Sequence, residues 1–271
     1  SRGFNTGYGT IKAPKRIETA AELSCILLQS TQNDMFGGQS HPDFDNDMAQ
    51  FIEPTRNEIR EELLELGIEE KKEVMAFQTH SSNVHVINET TDKYYYEKEK
   101  NIDGFITKRK DVVIFTFYAD CLPIFVYDKK NDVIGVWHSG WQGTYSEIMK
   151  NGLEKMKEVY NSSPKDILMA LGIGISQENY EVGTEFYEKF EQKFGKESEI
   201  VNKSFKFNGK TNKYYFDNNK FNEISALNLG IKKENLIISE ENTWDEKFHS
   251  HRREGKKSGR AAAVICFNKI K

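Results

Sequence analysis

The sequence predicts an α/β fold, in which strands and helices alternate along one chain. Segments with hydrophobic residues at helical spacing alternate with short segments rich in β-branched and aromatic residues. The 271 residues are 37% hydrophobic and 12% aromatic, which is enough material for one large core. Because no repeat, low-complexity segment or proline-rich linker divides the chain, we predict a single domain over residues 1–271.

Short helices and strands are predicted in the first part of the chain. A helix is expected at 55–66, where Ile59, Leu63 and Leu66 have helical spacing and Gly67 follows as a stop signal. The other expectations here are short strands and loops over the first forty residues, strands at 73–80 and 83–87, and a solvated loop at 90–101.

The central and C-terminal parts predict the strands of the core. Residues 111–128 predict a strand that is interrupted at 119–123, and residues 132–144 predict a strand that runs into a glycine-bounded turn. A helix is expected at 145–160, with an inward face formed by Ile148, Leu153, Met156 and Val159. The remaining predicted elements are a strand at 166–176, helices at 185–195 and 220–230, and a closing strand at 260–267.

Charge and cysteine usage exclude several classes of protein. A formal net charge of −4 gives the whole chain no attraction to polyanions, so we expect no nucleic-acid or membrane partner. No segment reaches the roughly 18 consecutive apolar residues of a membrane span, and the basic start is not followed by the apolar core of a signal peptide. Cys25, Cys121 and Cys266 are far apart and lack CxxC spacing, which is typical of reducing compartments. We therefore expect a cytoplasmic protein.

Three short motifs place a metal-binding side chain directly after an apolar segment. They are QTH at 78–80, ADCLP at 119–123 and HSGWQG at 138–143. Zinc binds imidazole and thiolate together, and three protein ligands leave a fourth position for water or substrate. His80, Cys121 and His138 are therefore candidate zinc ligands. From spacing alone, two hydrogen-bonded structural histidines and a core cysteine remain open alternatives.

Several motifs in the right order resemble the laccase-domain family. They are the QTH segment, the DGF and ADCLP segments, the HSGWQGT turn and the tail FHSHRREGKKSGRAA, which together cover most of residues 75–267. This family was first described as polyphenol oxidoreductases and is now described as purine nucleoside phosphorylases and adenosine deaminases, with a link to peptidoglycan editing. The resemblance implies a layered α/β/β/α sandwich with mixed sheets and metal ligands at His80, Cys121 and His138.

The chain departs from the family pattern where phosphate would be held. Gln142 follows GW where a basic residue is common, Gln32 stands where Arg is expected, and residues 171–183 lack the family's cysteines. Gln142 is kept as a candidate substrate-binding residue. Arg252 and Arg253 are the candidates for phosphate, because two guanidinium groups can clamp it bidentately; the alternative is a solvated basic loop.

Carboxylates near the metal are candidates for moving protons. Asp120, beside Cys121, and Asp103, in the DGF segment, are the catalytic candidates, and Glu181 is a weaker third. An open alternative for Asp120 is that it orients a metal-bound histidine. Of the other histidines, we expect His249 and His251 at the surface and His85 on a strand face.

The leading functional hypothesis is a zinc-dependent purine nucleoside phosphorylase acting on adenosine, inosine, guanosine or methylthioadenosine. Adenosine deamination at the same site would use the same bound purine and an activated nucleophile. Its partners would be a purine nucleoside and phosphate. Two alternatives stay open: a polyphenol oxidoreductase, since Cu²⁺ accepts the same ligands as Zn²⁺, and a metal-free hydrolase in which His138 activates Cys121. The sequence does not indicate an oligomeric state.

Overall fold

Two larger sheets and one small sheet organise the fold. The computed structural model describes residues 23–29, 60, 61, 64, 71–76, 78–90, 101–255 and 258–267. The strands are β1 (Leu23–Gln29), β2 (Lys72–Val74), β3 (Val84–Ile87), β4 (Gly104–Thr107), β5 (Val112–Tyr118), β6 (Leu122–Asp128), β7 (Val133–Ser139), β8 (Ile167–Leu171), β9 (Glu181–Val182), β10 (Phe205–Asn208), β11 (Lys213–Phe216), β12 (Leu236–Ile238) and β13 (Ala261–Phe267). The first sheet has the order β1–β13–β5–β2, the second β12–β8–β6–β7–β4–β3, and the small one β10–β11–β9.

Both larger sheets mix parallel and antiparallel pairs. In the first, β2 is parallel to β5 while β13 is antiparallel to both β1 and β5. In the second, β12 is parallel to β8 and β3 to β4, and the central pairs around β6 and β7 are antiparallel. The predicted α/β class with mixed sheets is therefore confirmed.

The two larger sheets pack face to face around a shared core. All seven residues of β6 and of β7 are buried, which is why these strands are nearly continuous apolar runs in the sequence. The first sheet contributes Val74, Ile114 and Ile265 to this core, and the second contributes Phe125 and Ile134.

Helices cover the other face of the second sheet. The helices are α1 (Trp141–Tyr145), α2 (Ile148–Tyr160), α3 (Thr184–Phe194), α4 (Glu199–Ser204), α5 (Asn218–Asn228) and α6 (His251–Glu254). Leu153 and Met156 of α2 and Ala226 of α5 join the core on this face. The helix α2 lies close because Gly152 faces the buried Trp137, where an added Cβ would be 2.5 Å from the indole ring. None of the helices in the described ranges has the length and apolarity that crossing a bilayer requires.

An aromatic cluster lies beneath the small sheet. Its buried members are Val182, Phe190, Val201, Phe205, Phe216 and Phe221, with Trp141 and Tyr180 packed at its edge. Phe205 and Phe216 stack at 4.7 Å between ring centroids, and Phe186 stacks on Phe190 at 5.1 Å. This cluster fixes the part of the chain that borders the candidate site.

Most predicted elements are present with shifted ends. Arg60, Glu61 and Leu64 are helical within the predicted helix at 55–66; the rest of that helix, most of the first forty residues and positions 91–100 lie outside the described residues. The strands predicted at 73–80 and 166–176 end early, at Val74 and Leu171. The short helices α1, α4 and α6, the strands β4, β9 and β12, and the β10–β11 hairpin were not predicted.

One predicted core residue is wrong. Val159 is 44% exposed in the last turn of α2, and the neighbouring Tyr160 packs against the core cluster instead. Three layers of the predicted sandwich, two sheets and one set of helices, lie in the described residues. The fourth layer stays a prediction; the helical Arg60 pairs with Glu73 of β2. The single domain over residues 1–271 stays a prediction.

Candidate metal centre

The three predicted ligands converge where the two larger sheets meet. His80 lies on the connection from β2 to β3, Cys121 on the connection from β5 to β6, and His138 near the end of β7. Both connections cross from the first sheet to the second. One ligand atom from each of the three side chains lies within 4.8 Å of the others. The topology therefore brings together residues that are 41 and 17 positions apart.

Asp103 holds two of the three ligands in place. Its carboxylate accepts hydrogen bonds from the backbone N–H groups of Thr79 (3.1 Å), His80 (2.9 Å) and Ser81 (2.7 Å). The same carboxylate lies 2.8 Å from Nδ1 of His138. One fully buried side chain therefore fixes both the His80 loop and the His138 ring, and it leaves Nε2 of His138 available to a metal.

The charge on Asp103 is favoured by these contacts. Burial raises the pKa of this carboxyl, but the hydrogen bond and the charge of His138 and the bonds from Ser81 outweigh burial and lower the pKa. Asp103 is therefore a carboxylate that only accepts hydrogen bonds. The predicted role of Asp103 in moving protons stays a prediction, and its contacts favour a positioning role.

Cys121 and His138 form a coupled pair. Burial raises the pKa of the Cys121 thiol, but the charge of His138 and hydrogen bonds from His138 and His80 outweigh it and lower the pKa. Conversely, burial lowers the pKa of His138, while the Cys121 thiolate and Asp103 raise it. The lowered pKa favours the thiolate form of Cys121, which is the form that binds a metal or attacks a substrate.

The backbone around the ligands has unusual geometry. His80 and Asp120 have positive φ angles of 62° and 82°, a region that costs free energy for residues other than glycine. Gly140 has an ordinary conformation, but a Cβ there would lie 2.6 Å from Cδ2 of His80 and 2.9 Å from Sγ of Cys121. A residue without a side chain at position 140 therefore leaves the space that His80 and Cys121 occupy.

The donor set fits a transition metal. Two imidazoles and one thiolate suit zinc and also copper. His80 is exposed, Cys121 half-buried and His138 buried, so one side of the cluster is open. Within the described ranges, this is the only group of three such side chains arranged to hold a metal.

A buried polar network supports the turn after His138. Ser139 and Thr144 hydroxyls lie 2.8 Å apart, Thr144 donates to Oδ1 of Asn218 at 2.7 Å, and Asn222 donates to Thr144 at 3.1 Å. All four side chains are buried. The network fastens α1 to α5, and it was not predicted because it joins residues about 80 positions apart, without a motif.

Asp120 connects the Cys121 turn to the C-terminal tail. Its carboxylate accepts hydrogen bonds from Oγ1 of Thr243 (2.5 Å) and the backbone N–H of Arg252 (2.6 Å), and its carbonyl accepts one from Ile175 (3.0 Å). That Asp120 orients a metal-bound histidine stays a prediction; in the described residues Asp103, and not Asp120, lies within hydrogen-bond distance of His138. The role of Asp120 in moving protons stays a prediction.

The two arginines predicted to bind phosphate have different surroundings. Arg252 is exposed, donates to the carbonyl of Glu181 at 2.8 Å, and places its guanidinium 5.0 Å from the Tyr180 ring centroid. The Arg253 guanidinium donates to the carbonyls of Thr243, Trp244, Asp245 and Phe248 and pairs with Glu254. The Arg253 guanidinium is therefore occupied by contacts that stabilise its own loop, residues 243–254. Arg252 is the better candidate to bind phosphate. Gln142 lies exposed on α1, two residues beyond Gly140.

Arg260 directly precedes β13 and was not predicted as a site residue. Burial lowers the pKa of its guanidinium, and the charges of Cys121 and Asp120 oppose that shift. The sheet register explains this position, because Ala261 pairs with Tyr118, three residues before Cys121. The prediction of β13 alone could not give that register.

Two other histidine predictions can be compared with the structure. His249 was expected at the surface but is only 4% exposed, because its ring packs on Gly259, where a Cβ would lie 2.5 Å from it. That expectation is wrong. His251 is exposed and His85 lies on β3, as expected.

Comparison with known proteins places the fold and the motifs in one family. A family model described as multi-copper polyphenol oxidoreductase laccase matches residues 31–268. The chain belongs to this family. The predicted resemblance is therefore confirmed, and the match spans all three candidate ligands of this laccase-family chain.

Relatives of this laccase-family chain have been given two enzyme names. A purine nucleoside phosphorylase of Bacteroides thetaiotaomicron is 30% identical over 203 residues, 72% of this chain and 73% of that protein. A protein named adenosine deaminase RL5, from an unknown prokaryotic organism, is 30% identical over 208 residues, 74% of this chain and 78% of that protein. The crystal structure of YlmD from Geobacillus stearothermophilus has the same fold, with a TM-score of 0.78 at 21% identity over 99% of this chain and 98% of that one.

Proposed function

We propose that this chain is a zinc-dependent enzyme that cleaves purine nucleosides with phosphate. The observation that carries the proposal is the convergence of His80, Cys121 and His138 into a cluster with one open side. The names of the relatives support the substrate class, since phosphorylase and deaminase both act on a purine nucleoside.

The proposed reaction exchanges one bond for another. A phosphate oxygen forms a bond to C1′ of the ribose as the bond from C1′ to the purine nitrogen breaks. The products are ribose 1-phosphate and the free purine, and the proton lost by phosphate ends on the purine. The site must therefore hold an anion and a nucleoside together in line, which is mainly a matter of orientation and electrostatic stabilisation.

The residues around the cluster divide these tasks. His80, Cys121 and His138 would hold zinc, which when bound supplies a Lewis acid beside the reacting atoms. Asp103 keeps two of those ligands in position. On the open side, Arg252 would bind phosphate. Gln142 would contact the nucleoside from the exposed surface of α1.

Adenosine deamination is the second candidate, and the relative named adenosine deaminase favours it. This reaction needs a carboxylate that passes protons between water and the purine. Asp103 and Asp120 both accept hydrogen bonds from backbone groups in the structure. We therefore rank phosphorolysis first and expect deamination at the same site.

Two other chemistries fit part of the site. Copper would accept the same ligands, and the family description includes multi-copper oxidoreductases. A metal-free hydrolase would use the Cys121 thiolate, which His138 stabilises. If the metal is required, a chelator abolishes activity. If Cys121 is the nucleophile of a metal-free enzyme, a thiol-alkylating agent abolishes activity and a chelator does not.

Incubation of the zinc-loaded protein with adenosine and phosphate tests the proposal. We expect adenine and ribose 1-phosphate to accumulate, with inosine as a second product. The proposal is wrong if neither adenine nor inosine forms while the protein contains stoichiometric zinc. Oxidation of phenols by the copper-loaded protein would favour the oxidoreductase instead.

A further inference from the structure

Tyr180 lies beside the candidate metal centre with its ring held on several sides. The ring packs on Phe216 at 5.7 Å and on Phe186 at 6.4 Å between centroids. The Arg252 guanidinium covers it at 5.0 Å, and the Tyr180 carbonyl accepts a hydrogen bond from the N–H of Phe216 at 3.0 Å. The phenol is therefore fixed in orientation, and its hydroxyl is the end that remains available.

The Tyr180 hydroxyl is a neutral hydrogen-bond donor. Burial raises its pKa most, the charges of Cys121 and Asp120 raise it further, and Arg252 opposes them only in part. The phenol therefore stays protonated at neutral pH and can donate a hydrogen bond. In the described part of the chain, this hydroxyl has no hydrogen-bond partner, although the residue is half-buried.

Three contacts hold Arg252 against the Tyr180 ring and the turn that carries Cys121. Its backbone N–H donates to Asp120, its Nη1 donates to Glu181, and its guanidinium stacks on Tyr180. A guanidinium carries five N–H donors, so the bond to Glu181 leaves others for a ligand. Because Asp120 directly precedes Cys121, the bond from the Arg252 N–H places two kinds of donor, a phenol and a guanidinium, next to the Cys121 turn.

We propose that the Tyr180 hydroxyl and the Arg252 guanidinium together form the oxyanion subsite that holds phosphate beside Cys121. This inference rests on the proposed function and names a residue that the sequence reasoning did not select. It also accounts for phosphate binding in a chain that has Gln142 where a basic residue is common. A neutral O–H and a charged N–H that meet the same anion give stronger hydrogen bonds than either would give to a neutral acceptor.

Tyr180→Phe tests the subsite, because it removes the hydroxyl and keeps the packed ring. Tyr187→Phe is the matched control, since its hydroxyl donates to Glu191 on α3 and has no part in the site. Binding of inorganic phosphate to the zinc-loaded protein is measured by calorimetry. Steady-state phosphorolysis of adenosine is then measured at varied phosphate concentration.

We expect Tyr180→Phe to weaken phosphate binding and raise the KM for phosphate by roughly tenfold or more, the effect of one hydrogen bond to a charged group. Zinc content, the KM for adenosine and any deamination rate should match the wild type, because none of them uses the anion subsite. Tyr187→Phe should behave as the wild type throughout. Arg252→Lys, which keeps the charge, should also bind phosphate more weakly because it loses the stacked guanidinium.

The outcomes separate the subsite from the proposed function. Phosphate binding that depends on Tyr180 in a protein without nucleoside cleavage would support the subsite and reject the proposed reaction. Phosphorolysis that is unchanged in Tyr180→Phe would reject the subsite and keep the reaction. Failure of the zinc-loaded wild type to bind phosphate, or a rise in the KM for adenosine alone, would also overturn the subsite.

Discussion

Two aspartates near the candidate metal ligands have different hydrogen-bond partners. Asp103 is fully buried and binds the backbone of the His80 loop and the ring of His138. Asp120 is half-buried, directly precedes Cys121, and binds Thr243 and the backbone of Arg252. Asp103 therefore organises the ligands, whereas Asp120 ties the ligand turn to the tail that carries the proposed phosphate site.

This difference separates metal binding from substrate binding within one small site. Substitution of Asp103 should lower metal affinity first. Substitution of Asp120 should leave the bound metal in place and weaken phosphate binding.

Asp103→Ala should have the largest effect on the metal. It leaves three backbone N–H groups and the His138 ring without their acceptor. Loss of a partner that orients a ligand lowers metal affinity by about 10–100-fold, and breaking a buried charged network costs about 3–5 kcal/mol of stability. Competition with a chelator and thermal unfolding measure the two effects.

Asp128→Ala is the control for that experiment. Asp128 is also fully buried and accepts hydrogen bonds from Lys130 and Asn131, but it lies at the far end of β6. We expect it to lose stability and keep its metal affinity. Equal loss of metal in both variants would mean that Asp103 acts only through general stability.

Gly140→Ala should separate the ligands by steric overlap alone. The backbone angles of Gly140 suit alanine, so the added methyl group acts through its contacts at 2.6 Å with His80 and 2.9 Å with Cys121. Overpacking of this kind costs about 1–3 kcal/mol, and we expect metal affinity to fall by the corresponding factor. Gly209→Ala, whose nearest contact would be 3.8 Å away, is the control. Unchanged zinc affinity in Gly140→Ala would show that the ligands need no close approach.

Asp120→Asn should affect phosphate and spare the metal. Asparagine tolerates the positive φ of this position, but its amide cannot accept both hydrogen bonds from Thr243 and Arg252. We expect the KM for phosphate to rise by roughly tenfold, the loss of one bond to a charged group, with zinc content unchanged. Asp245→Asn, in the same tail and exposed, is the control. Loss of zinc in Asp120→Asn would contradict the division between the two aspartates.

The pH dependence of Cys121 alkylation should show the smallest effect. In metal-free protein the pKa of this thiol is lowered to about 6 by the histidines, despite burial. The thiolate fraction therefore rises through about pH 6, and the alkylation rate should be half-maximal there, whereas an ordinary thiol reaches that point near pH ~8.5. At pH 7 the rate should exceed that of a model thiol only a few-fold, because a thiolate of lower pKa is a weaker nucleophile. Zinc should protect Cys121; a half-maximal rate near pH 8.5 would exclude the coupled pair.

The sequence indicated the candidate ligands more clearly than the contacts that hold them in position. His80, Cys121 and His138 each follow an apolar segment, but that pattern alone left structural histidines and a core cysteine open, and the family resemblance was needed to select the three residues. The role of Asp103 depends on which backbone N–H groups meet its carboxylate, and that geometry is set by the crossing between the sheets. No local pattern carries this information.

The elements that were missed depend on tertiary packing. The helix α1 follows Gly140 and contains Gly143, so the sequence favours a turn there, but buried hydrogen bonds to Asn218 and Asn222 stabilise it. The β10–β11 hairpin is rich in lysine and asparagine, and its Phe205 and Phe216 are held by packing against Phe190 of α3. In both cases distant contacts outweigh a weak local preference.

Metal content of the single-ligand variants tests the central claim most directly. Zinc is measured by elemental analysis in the wild type, in His80→Ala, Cys121→Ala and His138→Ala, and in His251→Ala as an exposed histidine control. If the three residues form one site, all three variants lose zinc together while the control retains the wild-type amount. Retention of stoichiometric zinc in any of the three, or loss in the control, would contradict a site formed by His80, Cys121 and His138.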